Sequence, residues 1–126
     1  MENFALVRPE HLNHHGYLFG GVLLKWVDEF AWMAASRDYP GCTFVTVGMD
    51  EIAFRHRVVN GAILRFTILV LGRGRTSLSY SVDVFADSPG SSAEERVFST
   101  RVTFVRIDEA GGKRPLPEED GLQRSR

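Results

Sequence analysis

Asp28 is a carboxylate set inside an otherwise apolar run, Gly20-Gly21-Val22-Leu23-Leu24-Lys25-Trp26-Val27-Asp28-Glu29-Phe30-Ala31-Trp32-Met33-Ala34-Ala35, which holds both tryptophans of the chain. A helix apolar nearly all round belongs in a core. A carboxylate there needs a partner, or its proton affinity shifts and it becomes chemically useful. Upstream, Asn13 opens the stretch Asn13-His14-His15-Gly16-Tyr17-Leu18-Phe19-Gly20-Gly21, which brings an amide, two imidazoles and three glycines to the start of that run. Glycines let backbone approach a ligand closely. Free N–H groups at a helix start, aided by the helix dipole, favour developing negative charge. Such a site suits the oxyanion of a carbonyl under attack.

Each residue also has a plainer reading. Asp28 and Glu29 could edge a narrow wet stripe, with Lys25 three residues before Asp28 as its ion-pair partner. Gly20 and Gly21 could simply permit tight packing. His11, His14 and His15 lack an acidic or cysteine partner at ligand spacing, so no metal site is expected, and they read as loop residues at a pocket entrance or facing water. His56, between Arg55 and Arg57, reads as exposed. The chain has no G-x-S-x-G elbow, no phosphate-binding P-loop and no dinucleotide fingerprint. Cys42 has no local activating group and is taken as structural.

The elements that must position these residues follow from periodicity. Phe4 to Arg8 reads as a short edge strand stopped by Pro9. The helix is expected from about Gly21 to Ser36, ended by Asp38-Tyr39-Pro40-Gly41. After it the period changes to two. Thr43 to Met49, Ala62 to Leu71, Thr76 to Ala86 and Arg96 to Ile107 are strand candidates, and Leu78, Tyr80, Val82, Val84 and Ala86 share one face. Asn60-Gly61 is a tight-turn signal, and Gly72-Arg73-Gly74-Arg75 a turn or bulge. One early helix followed by four consecutive strands is an α+β layout with an antiparallel sheet. A helix apolar on most sides cannot bury itself on one sheet face alone. Either the sheet curls round it or a second chain covers the rest, and both are expected.

A chain of 126 residues suits one domain. Hydrophobic residues make up 44%, charged residues 25%, and the net charge of -1 gives no general pull toward nucleic acid or anionic membrane. One cysteine allows no intramolecular disulfide. The first residues lack a signal-peptide pattern, and the apolar run Phe66 to Leu71 is too short for a bilayer. The expectation is a soluble cytoplasmic protein, with one domain over 1–114 and a flexible polar tail over 115–126.

The pattern Asn13-x-x-Gly16-x-x-Phe19-Gly20-Gly21 followed by Asp28 resembles the signature of hot-dog-fold acyl-CoA thioesterases. Within them it is similar to the bacterial acyl-CoA hydrolases related to the animal cytosolic and brain enzymes. Val45-Thr46-Val47 leading to Asp50 and Phe54, the Asn60-Gly61 pair, the segment Gly72-Arg73-Gly74-Arg75-Thr76-Ser77, and Val105-Arg106-Ile107-Asp108 to Gly112 followed by Pro115 and Pro117 are similar to later parts of the family pattern. The resemblance covers nearly the whole chain. It implies a hot-dog fold with the sheet wrapped round a central helix. It further implies dimers joined edge to edge, often three such dimers, and hydrolysis of acyl-CoA to a free acid and CoA. Asn13 and Asp28 match the catalytic asparagine and aspartate.

Gly20 and Asp28 are eight residues apart, about 12 Å along a helix. Asp28 therefore cannot readily serve a carbonyl held at its own helix N-terminus, and antiparallel pairing with a second copy would bring it to that copy's Asn13–Gly21 loop. The expected roles are as follows. Backbone N–H groups near Gly20 and Gly21 polarise the thioester carbonyl, Asn13 orients the water or the carbonyl, and Asp28 acts as general base or as nucleophile. Glu29 is the next candidate base. Arg73, Arg75, Thr76 and Ser77 are the first choice for the CoA phosphates, and Arg55 and Arg57 the second. No cofactor or metal is expected, since CoA belongs to the substrate. Competing readings are a non-hydrolytic acyl-CoA sensor and another hot-dog activity such as hydration of an enoyl thioester.

Overall fold

The computed structural model describes residues 1–118. It contains β1 (Glu2–Leu6), a 3-10 turn (Pro9–His11), α1 (Gly20–Asp38), β2 (Thr43–Phe54), β3 (Ile63–Arg73), β4 (Ser77–Asp87) and β5 (Glu95–Ile107). The strands form one sheet in the order β1-β3-β4-β5-β2, and every neighbouring pair is antiparallel. The expected elements are all present, with the ends moved by a few residues. The helix starts at Gly20 and reaches Asp38, and the first strand begins at Glu2 and ends at Leu6, before Pro9.

Strand alternation decides which residues meet the helix. Leu78, Tyr80, Val82, Val84 and Ala86 on β4 are all buried. Leu64, Phe66 and Ile68 on β3 and Phe98, Val102 and Phe104 on β5 join them. From the helix come Leu23, Val27, Ala31, Ala34 and Ala35, a stripe at helical spacing that lies on the concave sheet face. Phe66 anchors the contact, with the rings of Phe30 and Trp26 edge-on to it at 4.8 and 6.4 Å. Aromatic pairs in this geometry favour each other beyond simple area burial.

One face of α1 stays uncovered. Lys25, Glu29, Trp32 and Met33 are exposed there, Trp32 by 46%. The helix is thus less enclosed than its composition suggests, because a single chain covers one side of it. The edge strand β2 is equally bare. Only Phe44 along it is buried, while Val47 and Phe54 are 58% and 57% exposed. Two irregularities in the β2–β5 pairing, at Thr46/Gly48 and Asp50/Ala53, bend this strand, and Glu51 within the second holds a left-handed φ of 53°. A long edge strand carrying exposed apolar side chains is a template for pairing.

The C-terminal boundary differs from the expected one. Residues 115–117 are docked, not loose. Leu116 is buried and donates its N–H to the Arg75 carbonyl. Arg106 and Arg73 donate to the carbonyls of Pro115 and Pro117. Two prolines flanking one apolar residue make a strap that needs no strand partner. The rest of the expected tail, 119–126, lies outside the described residues. No helix among the described residues is long and apolar enough to cross a membrane.

Candidate active site

The loop Leu12–Leu18 is built around Asn13. Leu12 and Leu18 pair as an antiparallel bridge, and the Asn13 N–H donates to the Tyr17 carbonyl at 2.7 Å. The Asn13 side-chain oxygen accepts the backbone N–H groups of His15 at 2.9 Å and Tyr17 at 3.2 Å. Gly16 takes a φ of 84°, a conformation glycine adopts without penalty. Both lone-pair positions of the amide oxygen are thereby used inside the loop. What remains is Nδ2, which has no acceptor among the described residues. Asn13 is therefore a fixed donor, held by its own oxygen.

The loop delivers the chain into α1 without a cap. Phe19 at the N-cap makes no side-chain hydrogen bond, and no acidic residue occupies the first turn. Val22 and Leu23 donate back to the Phe19 carbonyl, while the N–H groups of Gly20 and Gly21 have no acceptor among the described residues. Helix starts normally satisfy such groups with a side chain. Here Gly20 lines a cavity of about 620 Å³, within the size range of small-molecule sites. Asn13, His15 and Tyr17 form one wall of this cavity and Gly20 and Leu23 its base. The facing wall comes from the end of β2 and the segment after it: Phe54, Arg55, His56, Arg57 and Val58. A methyl group at Gly20 would stand 3.5 Å from the Phe54 ring, so any larger side chain would intrude on the space between them.

Asp28 does not line this cavity. It lies two helical turns on, half-buried, and its Oδ1 accepts the hydroxyl of Thr46 on β2 at 2.6 Å. Its Oδ2 has no protein partner among the described residues, and no Lys25–Asp28 ion pair is present among them. The wet-stripe reading is half right: Lys25 and Glu29 are exposed, but the Asp28 carboxylate is held by a threonine hydroxyl at the sheet edge. Thr46 was not among the residues singled out from sequence. The alternation of β2 carried the signal, since Phe44 is buried and Thr46 is the next residue on the same face. A polar residue there must point along the helix toward whatever polar group lies under it.

The remaining residues sort by position. Arg73 donates to the Tyr39 hydroxyl at 3.1 Å and to the Pro117 carbonyl at 2.9 Å, at the far end of α1. Ser77 accepts Gly74 through its carbonyl, and Thr76 accepts Arg106 likewise. Arg73, Arg75, Thr76 and Ser77 do not line the cavity, whereas Arg55 and Arg57 do. His11 accepts the Arg8 N–H at Nδ1 and sits edge-on to Trp26 at 4.8 Å, so it ties the loop to the helix. Glu29 is exposed, with no recorded partner among the described residues. No cluster of three or more His, Cys, Asp or Glu able to hold a metal occurs among the described residues.

Comparison with known proteins agrees with this architecture. The thioesterase superfamily model matches residues 15–93. A hexameric hotdog fold thioesterase of Campylobacter jejuni superposes with a TM-score of 0.83 at 33% identity, over 93% of this chain and 90% of that one. Acyl-coenzyme A thioesterase 11 of mouse is 33% identical over 120 residues, 91% of this chain but 20% of its own length. The human cytosolic acyl coenzyme A thioester hydrolase is 29% identical over 90% of this chain and 30% of its own. The chain thus spans between a fifth and a third of these animal relatives. A Zymomonas mobilis protein named as an uncharacterized acyl-CoA thioester hydrolase is 31% identical, over 83% of this chain and 70% of that one. With one antiparallel sheet around one helix, and a family match covering more than half of its residues, this chain belongs to the thioesterase superfamily and has the hot-dog fold.

Proposed function

We propose that the protein is an acyl-CoA thioesterase whose site is completed by a second copy of the chain. The single observation that carries the reading is the separation of its parts. One chain holds the donors (the Asn13 amide and the Gly20 N–H, with the Gly21 N–H beside it in the helix start) at one cavity, and the Asp28 carboxylate elsewhere. Two copies related by a twofold axis, pairing along β2, would bring the Asp28 of each toward the donors of the other. The exposed apolar residues of β2 and the uncovered face of α1 support that contact. Three such dimers would make a hexamer, the state named for the Campylobacter relative. Most of the relatives above carry acyl-CoA thioesterase or hydrolase names, which supports the substrate class. A cytosolic location fits the human relative's name.

The reaction then runs as follows. The thioester carbonyl oxygen points at the N–H groups of Gly20 and Gly21 and at Asn13 Nδ2. These donors are preorganised, so they strengthen as the oxygen gains charge. Asp28 of the partner copy takes a proton from water while the water oxygen bonds to the carbonyl carbon. Collapse of the tetrahedral intermediate breaks the C–S bond, and the proton passes to the departing CoA thiolate. In the alternative route the carboxylate attacks the carbonyl carbon, and the C–S bond breaks with release of the CoA thiolate, which takes up a proton. Water then cleaves the resulting anhydride to the free acid and the regenerated carboxylate. Thr46 positions the carboxylate in both. Asn13 acts on the carbonyl and not on the water, because its oxygen is already engaged twice. No cofactor enters these steps.

The test is thiol release by the purified protein from a panel of acyl-CoA esters, run beside Asp28→Ala. Release by the wild type and none by the variant supports the proposal. Tight binding of acyl-CoA without release would instead make the chain a sensor.

A further inference from the structure

We infer that Arg55 and Arg57 on the cavity wall take the phosphate-bearing end of CoA, and so select CoA esters over esters of phosphate-free thiols. This rests on the acyl-CoA reading and names the part of the substrate that reading leaves unassigned.

The argument starts from what each arginine is paired with. Arg65 is clamped by Glu2 and Glu94, Arg96 by Asp83 and Arg101 by Asp50. These guanidinium groups are neutralised within the chain. Arg55 and Arg57 have no carboxylate partner among the described residues. Arg55 donates to the hydroxyl of Ser99 at 3.0 Å, and Arg57 to that of Tyr17 at 3.4 Å, lying 5.0 Å from the Tyr17 ring centroid. A hydroxyl orients a guanidinium without cancelling its charge. Stacking on an aromatic face leaves the remaining N–H donors of the planar group free for two oxygens of one phosphate. Both arginines lie on the cavity that also holds Asn13 and Gly20. The phosphate end and the reacting carbonyl of one substrate would then share one continuous space.

Arg73 also lacks a carboxylate partner among the described residues, but its donors are engaged by Tyr39 and Pro117, away from the cavity. Arg57 has a second consequence. Its partner Tyr17 holds Asn13 through two backbone hydrogen bonds. A phosphate that fixes Arg57 on the Tyr17 ring also steadies the loop carrying the Asn13 donor, so binding at the remote end supports the reacting end.

The experiment measures binding of 3′,5′-ADP and of free CoA by calorimetry, and turnover of matched acyl-CoA and acyl-pantetheine esters. It compares the wild type with an Arg55→Gln/Arg57→Gln variant and an Arg73→Gln/Arg75→Gln variant. Losing two charge-assisted contacts should weaken CoA binding about 100-fold in the Arg55/Arg57 variant and raise KM for acyl-CoA by a much larger factor than KM for acyl-pantetheine. Wild-type binding of 3′,5′-ADP should weaken steeply with added salt. Unchanged CoA affinity in the Arg55/Arg57 variant overturns the inference, as does a larger loss in the Arg73/Arg75 variant. If neither ester is cleaved by the wild type while the Arg55/Arg57 variant still loses 3′,5′-ADP binding, the wall stands and the thioesterase reading falls.

Discussion

The two ends of α1, about 28 Å apart for its 19 residues, treat their polar groups in opposite ways. At the C-terminal end the chain supplies its own partners. The Tyr39 N–H donates to the Ala35 carbonyl, the Asp38 carboxylate accepts the hydroxyl of buried Tyr80 at 2.7 Å, and Arg73 bridges Tyr39 to the proline strap. At the N-terminal end partners are missing. The helix has no side-chain cap, and among the described residues two glycine N–H groups and the Asn13 Nδ2 lack acceptors and two arginines lack carboxylate partners. Native chains seldom leave such groups unsatisfied. One end is therefore anchoring chemistry and the other receiving chemistry, and substitutions should separate them: activity lost without stability at the N-terminal end, stability lost without activity at the other.

The largest effect is expected at Asp28, the proposed base. Asp28→Ala should lower kcat by about 10³-fold or more, while circular dichroism and size-exclusion profiles match the wild type. Next comes Asn13→Asp, which keeps the oxygen that accepts His15 and Tyr17 but replaces the Nδ2 donor with a second oxygen. A drop in kcat of about 100-fold with little change in Tm is the expected result. A large fall in Tm with near-normal kcat would instead make Asn13 a loop-building residue, and the comparison between the ends would lose its clearest example.

Much of this arrangement was legible in the sequence, and the reasons differ by residue. The change from helical to two-residue period located β2 to β5, most clearly β4, which alternates without interruption and buries all five of its expected core residues. Asn13, Gly20 and Asp28 were legible because each breaks a local rule: an amide in a glycine loop, an uncapped helix start, a carboxylate among apolar side chains. Thr46 was not, since a threonine in a strand breaks no rule, and its role depends on the helix packing over β2. The choice between Arg73/Arg75 and Arg55/Arg57 was equally closed to inspection. Both lie in polar segments rich in arginine, and only the tertiary contacts of Arg73 with Tyr39 and Pro117 distinguish them. The docking of Leu116 was hidden in a stretch whose composition is polar.

Two substitutions of intermediate size sharpen the contrast. Thr46→Val removes the hydroxyl that holds Asp28 Oδ1 and keeps the β-branched shape. It should reduce kcat about tenfold, equivalent to one charge-assisted hydrogen bond, with KM nearly unchanged and rescue by Thr46→Ser. Tyr80→Phe, at the anchoring end, should do the reverse. It removes the Tyr80 hydroxyl as one donor to the Asp38 carboxylate and should cost about 2 kcal/mol in urea unfolding, with kcat of the folded protein within twofold of the wild type.

The smallest effect belongs to a region distant from both ends, the outer sheet face where Arg65 joins β1 to the loop before β5. Arg65 donates to Glu2 and to Glu94 and lies 4.5 Å from the Phe85 ring centroid. Hydrogen bonding from Arg65, opposed in part by desolvation and aided by its charge, holds the Glu94 carboxyl below the usual glutamate range. A carboxylate lowered in the folded state adds stability above the unfolded-state pKa and loses it as pH falls through the lowered value. Glu94→Gln should therefore cost a small part of the Tm at pH 7, less than Tyr80→Phe does, and cost nothing once the pH is well below that of the wild-type carboxyl. Thiol release at pH 7 should not change. If Glu94→Gln instead lowered kcat as Thr46→Val does, the separation of receiving from anchoring chemistry along α1 would fail, since an ion pair on the outer face would then be coupled to the site.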